Sequence, residues 1–157
     1  MEIIEKTISE EKIALINYKG SITDMEILMS KLLGWIDNKE LTTEGEIFAI
    51  FYNNPRTVGE NEVVYDLGIP INKEESEDLI DEEPIRLVNI LEHKVLSGIH
   101  KGPLNTIQET YTKMAEYSIE NKYDIIGSPK EVYIKKYFEV EDENDIITEI
   151  QLPVIKM

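Results

Sequence analysis

Apolar and polar positions follow the same order twice along the chain, about 82 residues apart. In the first copy, the apolar stretch at Lys12–Tyr18 predicts a strand, and Gly20 ends it. Strands are also predicted over Glu46–Tyr52 and over Glu62–Ile71. Between the first two strands, apolar residues recur every three to four positions, which predicts one face of a helix. They are Met25, Leu28, Met29, Leu32 and Ile36.

The second copy repeats this order. Val95–His100 predicts a strand, a helix follows, and Glu131–Phe138 and Asp145–Ile155 predict two further strands. The apolar face of the second helix consists of Ile107, Tyr111, Met114, Ala115 and Ser118. Both helices are preceded by a capping-box spacing, with Thr23 three residues before Glu26 and Asn105 three residues before Gln108.

Identical residues at matching positions support an internal repeat. The pairs are Lys12/Lys94, Lys19/Lys101, Gly20/Gly102, Lys31/Lys113 and Gly45/Gly127. A strand–helix–strand–strand unit covers only one face of its sheet with its helix, so the other face needs a partner. The predicted fold is therefore α+β, with two pseudo-symmetric strand–helix–strand–strand units, an antiparallel sheet and a central groove. We expect one domain over residues 1–157, with repeats at about 3–72 and 85–157 and an acidic connector at 73–84.

Composition narrows the possible functions. The chain has 157 residues, of which 41% are hydrophobic, which is enough for one domain with a sizeable core. It contains no cysteine, so disulfides and thiolate chemistry are excluded. No apolar run is long enough to span a membrane, and the acidic N-terminus lacks a signal-peptide core. We therefore expect a cytoplasmic protein without a membrane partner.

The charge balance points away from nucleic acid. The chain has 32 acidic and 16 basic residues and a net charge of −16. Such a surface repels phosphate backbones, and no stretch precedes the first repeat in which a helix-turn-helix could fit. We expect no direct nucleic-acid binding. The negative charge could concentrate cationic ligands, or it could serve solubility alone.

The candidate for chemistry is Glu131. Strand alternation places it on one face with Tyr133 and Lys135. A carboxylate among aromatic side chains is a binding site for a lipophilic cation, which would be held by charge and by aromatic faces. The alternative is a strand-end carboxylate in water, paired with Lys130 or Lys135.

Aromatic residues supply candidates for the wall of such a site. Tyr117 and Trp35 occupy equivalent positions late in the two helices and lie at the flank of the apolar face. Tyr111, Phe51 and Tyr52 are further candidates, although core packing would also explain each. The two histidines, His93 and His100, have no zinc-site spacing, and no phosphate-binding or nucleotide-binding motif is present. We expect no cofactor and no metal.

Six short segments in order resemble the GyrI-like small-molecule-binding domain, which has the fold of the effector-binding domains of AraC- and MerR-type regulators. They are Tyr18-Lys19-Gly20, Phe51-Tyr52-Asn53-Asn54-Pro55, Tyr65-Asp66-Leu67-Gly68-Ile69-Pro70, His100-Lys101-Gly102-Pro103, Glu131-Val132-Tyr133 and Thr148-Glu149-Ile150-Gln151-Leu152-Pro153. The resemblance covers nearly the whole chain and implies a bacterial, stand-alone member of this family.

The resemblance implies that Glu131 lies at the bottom of a central groove and contacts cationic, aromatic ligands. Three functions stay open. The first is binding of amphipathic, cationic small molecules, as in multidrug-binding domains. The second is hydrolysis of cyclopropane-type genotoxins, with Glu131 as general base and Tyr117 or Tyr111 assisting. The third is modulation of DNA gyrase or of a regulator through a protein interface.

Overall fold

The computed structural model describes residues 2–157, which contain nine strands and two helices in α+β arrangement. In chain order these are β1 (Ile3–Ile8), β2 (Glu11–Gly20), α1 (Met25–Asn38), β3 (Phe48–Phe51), β4 (Val63–Ile71), β5 (Arg86–Ile90), β6 (His93–Lys101), α2 (Ile107–Glu120), β7 (Tyr123–Ile125), β8 (Lys130–Lys135) and β9 (Ile147–Lys156). They form two compact units, one of residues 9–91 and one of residues 92–157 together with 2–8. The predicted fold class, with two equivalent strand–helix–strand–strand units, is confirmed.

The unit of residues 9–91 contains an antiparallel sheet in the order β3-β4-β2-β5. Helix α1 buries Met25, Leu32 and Ile36, which are three of the five predicted face positions. Leu28 and Met29, the other two, are half-buried. The helix therefore turns its apolar stripe to the sheet as the sequence period requires.

The unit of residues 92–157 has the strand order β1-β6-β9-β8, and β7 pairs with the far end of β9. Its core contains Leu96, Ile107, Met114, Ile150, Leu152 and Val154. Helix α2 contributes Ile107 and Met114 to this core, whereas Ala115, which the period placed on the buried face, is exposed.

Each of the two edge strands, β1 and β5, pairs with a strand of the other sequence repeat. Strand β1 pairs with β6 of the second unit, with Ile8 opposite His93. Strand β5 occupies the equivalent place on β2, with Ile90 opposite Glu11. Neither strand was predicted, because a short edge strand is defined by a distant partner and carries little periodicity of its own.

Both helices begin differently from the predicted capping boxes. A turn of 3₁₀ helix precedes each, and neither Asp24 before α1 nor Thr106 before α2 caps its helix with a side chain. The cap of the first turn is Ser21, whose Oγ accepts a hydrogen bond from the backbone N–H of Thr23 at 3.2 Å. The equivalent residue of the second copy is Pro103, which has no side-chain acceptor.

Replacing Ser21 by alanine is expected to lower the free energy of unfolding by about 1 kcal/mol, because the N–H of Thr23 loses its acceptor. Urea unfolding followed by circular dichroism measures this. The matched control is Ser30→Ala on the exposed face of α1, where removal of the hydroxyl should raise stability slightly. An equal effect of the two substitutions would contradict the assigned cap.

Most residues of the acidic connector predicted at 73–84 are exposed, but hydrogen bonds order it. Ser76 is fully buried, and the backbone carbonyl of Ser76 accepts a hydrogen bond from Lys12 Nζ at 2.6 Å. The carboxylate of Glu75 accepts from the N–H of Thr42, and that of Asp81 accepts from the N–H of Leu87. Acidic side chains here satisfy backbone donors, which composition alone does not reveal.

Strand β8 is shorter than predicted. The sequence pattern continued it to Phe138, but it ends at Lys135 after an irregularity that begins at Tyr133. Tyr137 and Phe138 lie in a 3₁₀ turn and are exposed, with their rings edge to face. Each of the two helices has 14 residues, and within residues 2–157 no helix is both long and apolar enough to cross a membrane.

Candidate functional site

Glu131 lies on β8 opposite Ile150 of β9. Directly paired residues share a face of the sheet, and Ile150 belongs to the core beneath α2. Glu131 therefore points to the helix side of this unit, and only 3% of its surface is exposed. The alternative of a strand-end carboxylate in water does not agree with this burial.

Two tyrosines hold the carboxylate. The hydroxyl of Tyr111, on α2, donates to Glu131 Oε2 at 2.6 Å. The hydroxyl of Tyr133, two residues along β8, donates to Oε1 at 3.3 Å. Both tyrosines were predicted site residues, and the structure brings them together with Glu131. One oxygen is bound tightly from the helix and the other more weakly from the strand.

This arrangement places a carboxyl group where water reaches poorly. Burying a carboxylate is costly unless hydrogen bonds or an opposite charge compensate it. Hydrogen bonds from hydroxyls to a carboxylate are stronger than neutral ones, so the two tyrosines supply part of that compensation. A cation that reached Glu131 would meet it in a medium of low dielectric, where the attraction is much larger than in water.

Tyr117 makes a different set of contacts. Its ring stacks on that of Tyr123 with centroids 6.4 Å apart and an interplanar angle of 20°. The hydroxyl of Tyr123 donates to Glu5 at 2.9 Å, and this hydrogen bond is the main reason that the pKa of Tyr123 is raised. Tyr117 thus packs in an aromatic pair that connects α2 with β7.

The other three predicted site residues belong to the unit of residues 9–91. Trp35 donates its indole N–H to Glu82 at 2.6 Å. Phe51 is buried against the ring of Tyr65, with centroids 5.7 Å apart. Tyr52 is half exposed and donates its hydroxyl to a carboxylate, that of Asp66.

Asp66 is a buried carboxylate that the sequence interpretation did not single out. It is buried on β4, and it accepts hydrogen bonds from Asn17 Nδ2 at 2.8 Å and from Tyr52 at 2.5 Å. Burial and the hydrogen bond to Asp66 raise the pKa of Tyr52, which therefore stays protonated and donates. The available signal was a lone aspartate within an otherwise apolar strand.

His100 connects β6 with the start of α2. Its Nε2 lies 3.1 Å from the carbonyl oxygen of Pro103, which can only accept, so Nε2 carries the proton. Nδ1 then accepts from the hydroxyl of Thr110 at 2.7 Å. His100 is buried, and these hydrogen bonds fix its ring between β6 and α2.

A cavity of about 970 Å³ lies in the same unit beside the end of β1. Its lining includes Lys6, Ser97, His100, Thr110 and Glu149. Glu131 is not among the residues that line this cavity.

Comparison with known proteins gave one family and several similar folds. The family model described as GyrI-like small molecule binding domain matches residues 1–155. The C-terminal domain of EcmrR is similar, with a TM-score of 0.77 and 21% identity over 99% of this chain and 98% of that one. EcmrR in a structure of its complex with DNA is also similar, with a TM-score of 0.83 and 21% identity. The match covers 99% of this chain and 58% of the EcmrR chain.

Two further structures share the fold at lower identity. A hydrolase from Listeria innocua has a TM-score of 0.73 and 11% identity over 98% of this chain and 92% of that one. SAV2435, in a structure bound to tetraphenylphosphonium, has a TM-score of 0.58 and 12% identity over 99% of this chain and 94% of that one. The search of curated proteins gave no match.

Proposed function

This chain belongs to the GyrI-like small-molecule-binding domain family, and we propose that it binds amphipathic, cationic aromatic small molecules with Glu131 as the central carboxylate. The observation that carries the proposal is the burial of Glu131 together with its two tyrosine donors. A carboxylate supplies the charge, and the tyrosine rings supply the faces on which a lipophilic cation is stabilised.

Ligand entry requires part of the cover of Glu131 to move, because its side chain is almost fully buried. Tyr111 is half-buried on α2, whereas Tyr133 is buried within the sheet. Rotating the helix residue away would expose Oε2 and leave the sheet intact. We therefore expect Tyr111 to be displaced by the ligand and Tyr133 to stay in place.

Two general properties agree with a cationic ligand. The net charge of −16 raises the local concentration of cations at low ionic strength. SAV2435, which shares the fold, was determined with tetraphenylphosphonium, a lipophilic aromatic cation. This compound is therefore the first probe to use.

The test is calorimetric titration and thermal unfolding with tetraphenylphosphonium and with neutral triphenylphosphine oxide. We expect the cation to bind and to raise the melting temperature, and the neutral compound to bind much more weakly. Glu131→Gln should weaken binding of the cation at least tenfold, since the charge is lost while the shape is kept.

The matched control is Asp66→Asn, which removes one charge from a buried, tyrosine-bound carboxylate of the other unit. It should leave the affinity for tetraphenylphosphonium close to that of the wild type. Equal losses in both variants would mean that net charge alone attracts the cation. Unchanged binding by Glu131→Gln would rule out Glu131 as the central carboxylate.

A second candidate function is hydrolysis, and the position of Tyr111 favours it. A glutamate can act as general base on water while a tyrosine hydroxyl within hydrogen-bond distance orients the substrate or moves a proton. Tyr111, at 2.6 Å from Glu131, fits that role better than Tyr117, which stacks on Tyr123. One similar structure is that of a hydrolase.

Turnover of a cyclopropane-containing alkylating agent, followed by chromatography, separates the two functions. A hydrolase should consume the compound, and Glu131→Gln should keep binding but lose rate. A binding protein should leave the compound intact, and Glu131→Gln should lose affinity.

A further inference from the structure

Thr148 has a buried hydroxyl on the same face as Glu131. Its side chain is 1% exposed, and within residues 2–157 its Oγ1 has no hydrogen-bond partner. Buried hydroxyls are nearly always hydrogen-bonded, because a hydroxyl that has left water without gaining a new partner costs free energy. This atom therefore calls for a partner that the protein chain does not supply.

The register of the strands places this hydroxyl beside the proposed site. Thr148 lies directly opposite Tyr133 on β8, and Glu131 is the next residue of β8 on the same face. Side chains in that diagonal relation lie within reach of one another when one of them is long. On the other side, Thr148 lies opposite His100 of β6.

Helix α2 covers this region of the sheet. The hydroxyl of Thr110 on α2 donates to His100, and the adjacent Tyr111 donates to Glu131. Thr148 thus lies among polar groups of three strands and one helix, all within one unit. The hydroxyl of Thr110 is hydrogen-bonded to His100, whereas that of Thr148 has no partner among residues 2–157.

We propose that the site recognises a protonated amine, whose N–H groups bind Glu131 and Thr148 together, in preference to a quaternary cation of the same shape. This inference rests on the proposed function and specifies its ligand class. A primary ammonium group has several donors, so one can bind the carboxylate and another the hydroxyl oxygen of Thr148. A quaternary ammonium or phosphonium ion has no donor and would leave the hydroxyl without a partner.

The test compares two probes that differ only at nitrogen, 2-naphthylmethylammonium and its N,N,N-trimethyl derivative. We expect the wild type to bind the primary ammonium at least fivefold more tightly. Thr148→Val keeps the shape and removes the hydroxyl, and it should remove this preference by weakening only the primary ammonium. Removing an unpartnered buried hydroxyl should leave the melting temperature unchanged or raise it, which shows that the variant folds.

The outcomes separate this inference from the proposed function. If Glu131→Gln leaves the binding of both probes unchanged, the proposed function fails and the inference fails with it. If both probes depend on Glu131 but bind equally to the wild type, the inference alone fails. It also fails if Thr148→Val weakens the two probes alike, since the threonine would then act only through packing. Thr148→Ser, which keeps the hydroxyl, should retain the preference.

Discussion

Replacing Gly68 by valine is expected to destabilise the protein by about 3 kcal/mol, because there is no space for a side chain at this position of β4. A Cβ atom there would lie 2.9 Å from Phe48 Cζ, 3.0 Å from Ile13 Cγ2 and 3.3 Å from Leu15 Cβ. All three neighbours are buried core residues of the unit of residues 9–91. The two methyl groups of valine would add further overlap, and a close-packed core cannot absorb it without displacing strands.

Urea unfolding measures this effect as a lower midpoint at an unchanged slope. The control is Gly34→Ala in the interior of α1, where a Cβ atom meets no atom within 4 Å apart from its chain neighbours and the backbone of its own helix. That substitution should stabilise the protein by about 1 kcal/mol, because alanine restricts the unfolded chain and favours the helix. Wild-type stability of the Gly68 variant would show that the core of this unit is loosely packed.

Replacing Lys6 by methionine is expected to cost about 2 kcal/mol at neutral pH, because it leaves the buried carboxylate of Glu149 without its opposite charge. Lys6 Nζ lies 2.5 Å from Glu149 Oε2, and Ser97 Oγ donates to the same oxygen at 2.6 Å. The side chain of Glu149 is 9% exposed and that of Lys6 is 37% exposed. Solvent around Lys6 keeps the expected loss below that of a fully buried pair.

The contribution of Glu149 to the stability of the protein depends on pH. Burial alone would raise the pKa of Glu149, but the hydrogen bonds from Lys6 and Ser97 and the charge of Lys6 outweigh burial, so its pKa is lowered. Glu149 therefore stabilises the wild type above the ordinary pKa of a glutamate, and this contribution is lost as the pH falls through the lowered value. Without Lys6, burial is opposed only by the hydrogen bonds from Ser97 and Gln151, so we expect the pKa of Glu149 to rise and its protonation to relieve the penalty.

The difference in stability between the wild type and Lys6→Met should accordingly be largest near pH 7 and shrink as the pH falls through the ordinary pKa range of a glutamate toward the lowered pKa of Glu149 in the wild type. Thermal unfolding across this range measures it. The double variant Lys6→Met, Glu149→Gln is the control, since neither charge of this pair remains and its deficit should vary much less with pH. A deficit of Lys6→Met that does not depend on pH would show that the methionine disturbs packing of β1 instead.

Much of the fold was predictable from local pattern. Helices α1 and α2 lie where the apolar period placed them, and the three strands of each repeat lie within a few residues of their predicted bounds. The edge strands β1 and β5 were missed because each is stabilised by pairing with a strand of the other sequence repeat. Ser21 was missed as a cap because a 3₁₀ turn precedes the helix and shifts the capping position.

The candidate site was predictable in part. Alternation along β8 placed Glu131 and Tyr133 on one face, and their hydrogen bond agrees with this. The contact of Tyr111 with Glu131 joins a helix to a strand 20 residues later in the chain, which no local period specifies. The unpartnered hydroxyl of Thr148 had no signal in the sequence, because hydrogen-bond satisfaction depends on every neighbour in space.

The amino-acid sequence alone was enough to locate most helices and strands, because backbone geometry converts apolar periods of two or of three to four residues directly into faces of strands and helices. It also determined the excess of negative charge and the resemblance to a small-molecule-binding family. The folded structure was needed to show that Glu131 is buried, which tyrosines bind it and that Lys6 pairs with Glu149. These features are contacts between distant segments, and their energies arise from desolvation, which exists only once the chain has folded.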